Sequence, residues 1–378
     1  MEYFFNCIFA IIFPFGQDGW KVLSLVSIIF AIKYFNVWKK DKIILSLLVF
    51  LFYGLILSVF SKDVVSGFEE MQRYFFGWLF PFLLGYAVVD ETQKRKLLNL
   101  YLIVFSFTVF LGFLAYFNII PDRISYLTFI VDERLGVICG HTIFGGKCAF
   151  IILILTTLFL FEKNNKYKYI FAFGAVFYFF ALLLSGTRAY YISVFCTFIL
   201  MILFYIIKNK KAVKILTLFV LLSILAVAVY KFNPVMHERI NKTSITKDTS
   251  LVHRIDMYKH GLNLLLKEHR IFGFYPAMSA TQDGNIHKLP HFHNIYLQII
   301  LDFGFVGFAL FLIILYVMFK RLFCLYKNTG NCQYLMLIFA WIAVLISENF
   351  DSLLRYPFFT GQCFWITGLM LGGVKNDK

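Results

Sequence analysis

HKLPHFHNIYLQIILDFGFVGFALFLIILYVMF, running from His287 to Phe319, decides the fold class of this chain. It starts polar and histidine-rich and turns at Pro290. From His293 to Phe319 it is an apolar run, longer than the roughly 20 residues a membrane-crossing helix needs. His291 and His293 therefore stand where a spanning helix meets water. Ionisable groups at that depth are costly unless they have a partner or a task, so this junction is the first place to look for chemistry.

Working outward, the same kind of run recurs. Apolar segments at 2–15, 20–37, 43–60, 74–89, 97–118, 136–161, 169–184, 189–207, 215–231, 293–319, 334–349 and 358–374 predict twelve spans and an all-α polytopic membrane protein. The 378 residues are 60% hydrophobic and only 15% charged, well below the roughly 25% charge of a soluble domain. The short loops that hold Lys39, Lys40 and Lys42, then Lys94, Arg95 and Lys96, then Lys320, Arg321 and Lys327 fall on one side. The positive-inside rule makes that side cytoplasmic, with both termini. The net charge of +15 is thereby read as a topology signal and not as a nucleic-acid surface, for which no motif is present.

Three segments follow from this reading: spans 1–9 over 1–231, one large loop over 232–292 on the opposite, external face, and spans 10–12 over 293–378. Long loops are usually functional or disordered. This one reads as partly folded, because Leu251, Ile255, Tyr258, Leu262 and Leu265 recur at helical spacing and predict an amphipathic helix. The seven cysteines are scattered, odd in number and without a CxxC pair, so neither a disulfide framework nor a zinc site is indicated. The apolar N-terminus lacks a basic flank and a cleavage site, and reads as a first span.

Three external-face features invite a functional reading: the SGTR corner, Arg254 and the histidine stretch. Arg188, in SGTR between two spans, sits where the positive-inside rule disfavours a cation, which points to a partner. Arg254 lies near the start of the loop helix; two arginines converging from separate elements suit a diphosphate, because guanidinium forks bind phosphate oxygens in pairs. Arg134 in DERLG and Arg355 in DSLLRYP sit at external edges and are candidates for the same anionic pocket. Asp302, within a span, is expected to pair with an arginine. His293, or His291 beside it, suits general-base work near neutral pH. His287, His291 and His293 also have a spacing that permits a metal, but no nearby cysteine or paired carboxylate strengthens the set, and no metal is expected. No nucleotide-binding glycine motif is present, and no internal repeat favours a transporter.

The pattern His293-Asn294, nine residues, Gly304, two residues, Gly307 resembles the hallmark motif of bacterial O-antigen ligases. LLLSGTRAYYISV, SLVHRIDMYKHGLNLL and SENFDSLLRYPFF resemble further segments of that family, so the likeness covers most of residues 130–360. It implies a membrane glycosyltransferase that moves a finished glycan from undecaprenyl diphosphate to a sugar hydroxyl of lipid A–core. The reaction takes place at the periplasmic face of the inner membrane, without ATP, cofactor or obligatory metal. It implies His293 as base, with Arg188, Arg254, Asn294, His291 and Arg134 on the substrate, and direct displacement with inversion. The related O-antigen polymerases share the fold and the arginines. Gly304 and Gly307 are expected to let neighbouring helices approach.

Overall fold

The computed structural model describes residues 1–15, 19–124, 127–162, 167–209, 213–232, 237, 249–268, 271–279 and 291–373; His287, Pro290 and parts of the 232–292 segment lie outside them. Helix covers most of each apolar run, and further helices form outside them. In chain order the main helices are α1 (Glu2–Ile12), α2 (Gly19–Lys33), α3 (Lys42–Val59), α4 (Val64–Tyr74), α5 (Phe80–Tyr86), α6 (Glu91–Tyr116) and α7 (His141–Phe161). They continue as α8 (Lys168–Ser185), α9 (Arg188–Asn209), α10 (Val213–Phe232), α11 (Thr249–Glu268), α12 (Ile295–Thr329), α13 (Cys332–Ser347) and α14 (Pro357–Leu371). Among the described residues, six of them (α3, α6, α7, α8, α9 and α12) are long and apolar enough to cross a membrane. The chain is an all-α polytopic membrane protein.

The run read as 74–89 is not one straight helix. Pro81 has no N–H and its ring crowds the carbonyl four residues back, so the chain widens into a π-turn over Phe75–Leu79 between α4 and α5. The π-turn holds Trp78, which is stacked between Phe50 and Phe364 and donates its indole N–H to the Leu354 carbonyl at 2.8 Å. That bond reaches the segment on which the polar site is built.

At the centre stands α7, of whose spanning window 89% is buried. It packs on α8, α13 and α14. The close approach depends on two glycines in its first turns. A Cβ on Gly145 would lie 2.1 Å from Thr187 Oγ1, and one on Gly146 would lie 3.0 Å from Tyr190, Leu353 and Phe359. The corner that carries Arg188 and the segment after α13 are thus drawn to the same end of α7.

The histidine stretch enters α12, and Gly304 breaks that helix with φ 69 and ψ −173. Its role differs from the expected one of helix packing. A Cβ there would meet the Ile271 carbonyl oxygen at 2.0 Å, so the glycine admits the backbone of the external segment. The carbonyls freed by the kink are satisfied: Phe274 N–H donates to Leu301 O at 2.7 Å and Tyr53 O–H to Phe303 O at 2.8 Å. Inside the kinked half, buried Asp302 feels the charge of Arg355 but makes no ion pair with an arginine among the described residues. It accepts from Ser279 N–H at 3.1 Å and from Gln298 Nε2 at 2.6 Å, so amide and hydroxyl donors carry its satisfaction.

The loop helix, α11, forms where it was expected, with Tyr258 and Leu265 of the predicted stripe inward and Leu262 outward, while the Leu251 side chain lies outside the described residues. Met257 and Gly261 are buried, and Met257 packs with Tyr258, Leu264 and Leu265 on Phe274, Phe292, Leu297 and Leu301, whereas Leu262 is 50% exposed. Between α6 and α7, where no strand was expected, two small antiparallel hairpins form: β1 (Arg123–Ile124) with β2 (Leu127–Thr128), and β3 (Ile130–Val131) with β4 (Arg134–Leu135). The second turns on Asp132 (φ 50) and Glu133 (φ 58), and this pair of positive φ angles matches the twist of a two-residue hairpin loop.

Candidate active site

The polar site is assembled around Glu348–Tyr356, the stretch between α13 and α14. It receives the histidine segment from one side: Ile295 N–H donates to Glu348 O at 3.0 Å, and Asn294 Nδ2 to Asn349 O at 3.3 Å. Asn294 also caps α12, its side chain accepting from Leu297 N–H at 2.9 Å. From α11, Tyr258 O–H lies 2.9 Å from His293 O and 2.8 Å from Asn349 O, so one phenol clamps both segments. His293 sits at φ 52, a left-handed conformation that costs on the order of 1–3 kcal/mol in a non-glycine residue and persists only where its surroundings enforce it. Here the capping Asn294 and the Tyr258 clamp supply that enforcement.

The His293 side chain points at a carboxylate. Nδ1 is 3.4 Å from Asp351 Oδ1, with the carboxylate 6% and the histidine 22% exposed. Burial alone raises a carboxyl pKa, but the bond to His293 and the positive charge of Arg254 outweigh it and hold Asp351 below the usual range. The same oxygen accepts from Ser352 N–H at 2.9 Å, which fixes its direction. The His291 ring lies 4.2 Å from the His293 ring, centroid to centroid. Burial, then the neighbouring His293 and the cationic Arg355, push the His291 pKa down to about 3, so this ring stays neutral.

Arg254 belongs to this group: its charge acts on Asp351, His291 and Tyr258. Its Nε is buried without a hydrogen-bond partner among the described residues. A guanidinium nitrogen left in that state is a donor available to a ligand. Arg188, the first residue of α9, converges instead with Arg134 of the β3–β4 hairpin. Arg134 pairs with Asp132 at 3.2 Å, yet burial and the charge of Arg188 both lower its pKa. Tyr190, two residues after Arg188 on α9, lies within electrostatic reach of Asp351 and Glu348.

Arg355 departs from the expectation of an anion binder. Its guanidinium is 5% exposed and forks onto Glu70 of α4, Nε to Oε1 at 2.5 Å and NH2 to Oε2 at 2.7 Å. Its charge is thus neutralised from within the protein, and the pair instead ties α4 to the segment carrying Asp351. Sequence reading missed Asp351, Glu70 and Tyr258. All three act through partners far along the chain, 58, 285 and 35 residues away respectively, and no spacing pattern reports such distances.

Of His287, His291 and His293, whose spacing permits a metal though none was expected, His287 lies outside the described residues. A different trio, His291, His293 and Asp351, brings its donor atoms within 4.8 Å of one another, a donor set chemically suited to a divalent cation. The same closeness lets the Asp351 carboxylate orient the His293 imidazole.

Residues 173–312 match the O-antigen ligase family. The match, over 140 of the 378 residues, supports a relation to the O-antigen ligase superfamily. It begins inside α8, covers α9, α10 and α11 and ends inside α12, so it includes Arg188, Arg254, His291, His293, Asn294, Gly304 and Gly307. Arg134, Asp351 and the Glu70–Arg355 pair lie beyond it and enter the site by geometry alone. No curated protein matches the chain. The O-antigen ligase family suggests a glycosyltransferase-like membrane enzyme acting on lipid-linked polysaccharide.

Proposed function

We propose that the protein is an O-antigen ligase of twelve spans, with 232–292 as its large periplasmic loop and both termini cytoplasmic. It transfers a glycan from undecaprenyl diphosphate to a sugar hydroxyl of lipid A–core at the periplasmic face of the inner membrane. The carrying observation is the His293–Asp351 pair, 3.4 Å apart, beside the unpartnered buried Nε of Arg254.

The chemistry follows from these groups. The donor's diphosphate is already a good leaving group, so no nucleotide is needed. Arg254 and Arg188, with Arg134, bind it and offset the charge that grows as the C–O bond breaks. His293 removes the proton from the acceptor hydroxyl as that oxygen attacks the anomeric carbon, and Asp351 steadies the imidazolium that forms. Attack from the face opposite the leaving group inverts the configuration. His291 is the poorer base, because its pKa near 3 lies far from neutral; Asn294 and His291 shape the acceptor side.

An O-antigen polymerase is the second reading, favoured by the same arginines and the same type of donor. The purified protein, given a polyprenyl-diphosphate-linked glycan together with lipid A–core and a metal chelator, separates the two. Glycan appearing on lipid A–core supports the ligase, and growth of the lipid-linked chain indicates the polymerase. Transfer to neither contradicts both.

A further inference from the structure

Two buried polar side chains of α12 take no part in the proposed chemistry. Gln298 and Asp302 stand one helical turn apart and are both 0% exposed. Gln298 Nε2 donates to Asp302 Oδ2 at 2.6 Å, while Gln298 Oε1 accepts from the Phe292 backbone N–H at 3.0 Å. The other oxygen of Asp302 accepts from Ser279 N–H at 3.1 Å and from the Ser279 hydroxyl. Phe292 lies between His291 and His293, and its own ring is buried with Met257, Leu297 and Leu301. The amide oxygen of Gln298 therefore holds the backbone one residue before the left-handed His293.

This chain of donors has a direction. A carboxylate only accepts and a backbone N–H only donates, so the Gln298 amide satisfies both in one orientation, nitrogen toward Asp302 and oxygen toward Phe292. Turned over, it would set oxygen against oxygen and N–H against N–H and leave buried groups unpaired. We infer that Asp302 and Gln298 are positioning residues for the base. Asp302 fixes the polarity of the amide, and the amide holds the Phe292 N–H so that His293 keeps the φ of 52 from which Nδ1 meets Asp351. The same carboxylate holds Ser279, so one buried group sets both the external segment and the histidine stretch. The inference rests on the proposed role of His293.

The test is a polarity swap in the purified full-length protein, read by glycan transfer. In Asp302→Asn the new amide faces a donor whichever way it turns, either Gln298 Nε2 or Ser279 N–H. This variant is expected to lower kcat by ~10–100-fold with KM for the donor within about twofold, since a displaced base costs rate and not donor binding. Gln298→Glu alone sets two buried carboxylates together and is expected to be impaired as well. Combined, the two substitutions pair every donor with an acceptor again at the same total charge, and are expected to restore kcat to within about fivefold of wild type. Asp302→Asn at wild-type kcat, a rise in KM alone, or a double variant no more active than the singles would overturn the inference. Where Asp302→Asn gives no folded protein, the double variant carries the test; its failure to fold would also overturn the inference, because its donors are paired as in wild type. Full transfer by His293→Ala would instead overturn the proposed function, and the positioning role with it.

Discussion

Asp351→Asn removes a charge and almost nothing else. The amide keeps an oxygen that can accept from Ser352 N–H, now 2.9 Å away, and can still meet His293 Nδ1. What is lost is the carboxylate facing the imidazolium that forms when His293 takes a proton. Two unit charges at the observed 3.4 Å interact by about 5 kcal/mol at an effective dielectric of ~20. His293 is 22% exposed, so solvent screens part of this. A remaining effect of about 3–4 kcal/mol corresponds to a rate lower by ~10²–10³-fold. The assay is glycan transfer from a polyprenyl-diphosphate donor by purified protein, with membrane abundance and thermal unfolding measured alongside. A variant with normal unfolding and activity within about threefold of wild type would refute the charge argument, since a purely structural Asp351 tolerates its isostere.

Three further outcomes follow from other parts of the fold. Glu70→Ala removes the forked ion-pair partner of buried Arg355 and is expected to cost about 3–5 kcal/mol, read as a lower unfolding temperature; Glu70→Ala with Arg355→Met is expected to recover part of it. Gly304→Ala places a Cβ 2.0 Å from the Ile271 carbonyl at φ 69, so it is expected to lower folded yield sharply; normal yield and stability would contradict the kink geometry. The pKa of His291 is lower in the folded protein, about 3 against 6.5, so between those values the unfolded chain binds the extra proton and stability falls as pH falls. The unfolding temperature should therefore drop from pH 7 to pH 5, and His291→Gln should flatten the dependence; an unchanged slope would rule out this origin.

Much of the architecture was legible because apolar runs of spanning length leave the backbone no option but helix in a bilayer. His293 and Arg188 drew notice for a related reason: ionisable groups at span ends stand out against a sequence that is 60% hydrophobic, whereas Asn294 and Arg254 were singled out with the family-like segments that hold them. The β3–β4 hairpin was not, since Asp132-Glu133 lacks the glycine that usually signals its turn. The inward face of α11 was misjudged at Leu262 because helical spacing alone offers several apolar stripes, and the docking against Leu297 and Phe292 selects among them. Arg355 looked like an anion binder only while Glu70, 285 residues away, was invisible as its partner. Asp351 was quoted within SENFDSLLRYPFF yet not singled out; its meaning depends on which histidine the fold sets before it.

The most direct test of the account is His293→Ala in the transfer assay, compared with His291→Ala at matched protein abundance. The account predicts that His293→Ala abolishes glycan transfer, leaves binding of the donor's diphosphate intact, and does not alter unfolding enough to explain the loss. His291→Ala retains measurable transfer. Near-full activity in His293→Ala, or loss confined to His291→Ala, would contradict the assignment of the base.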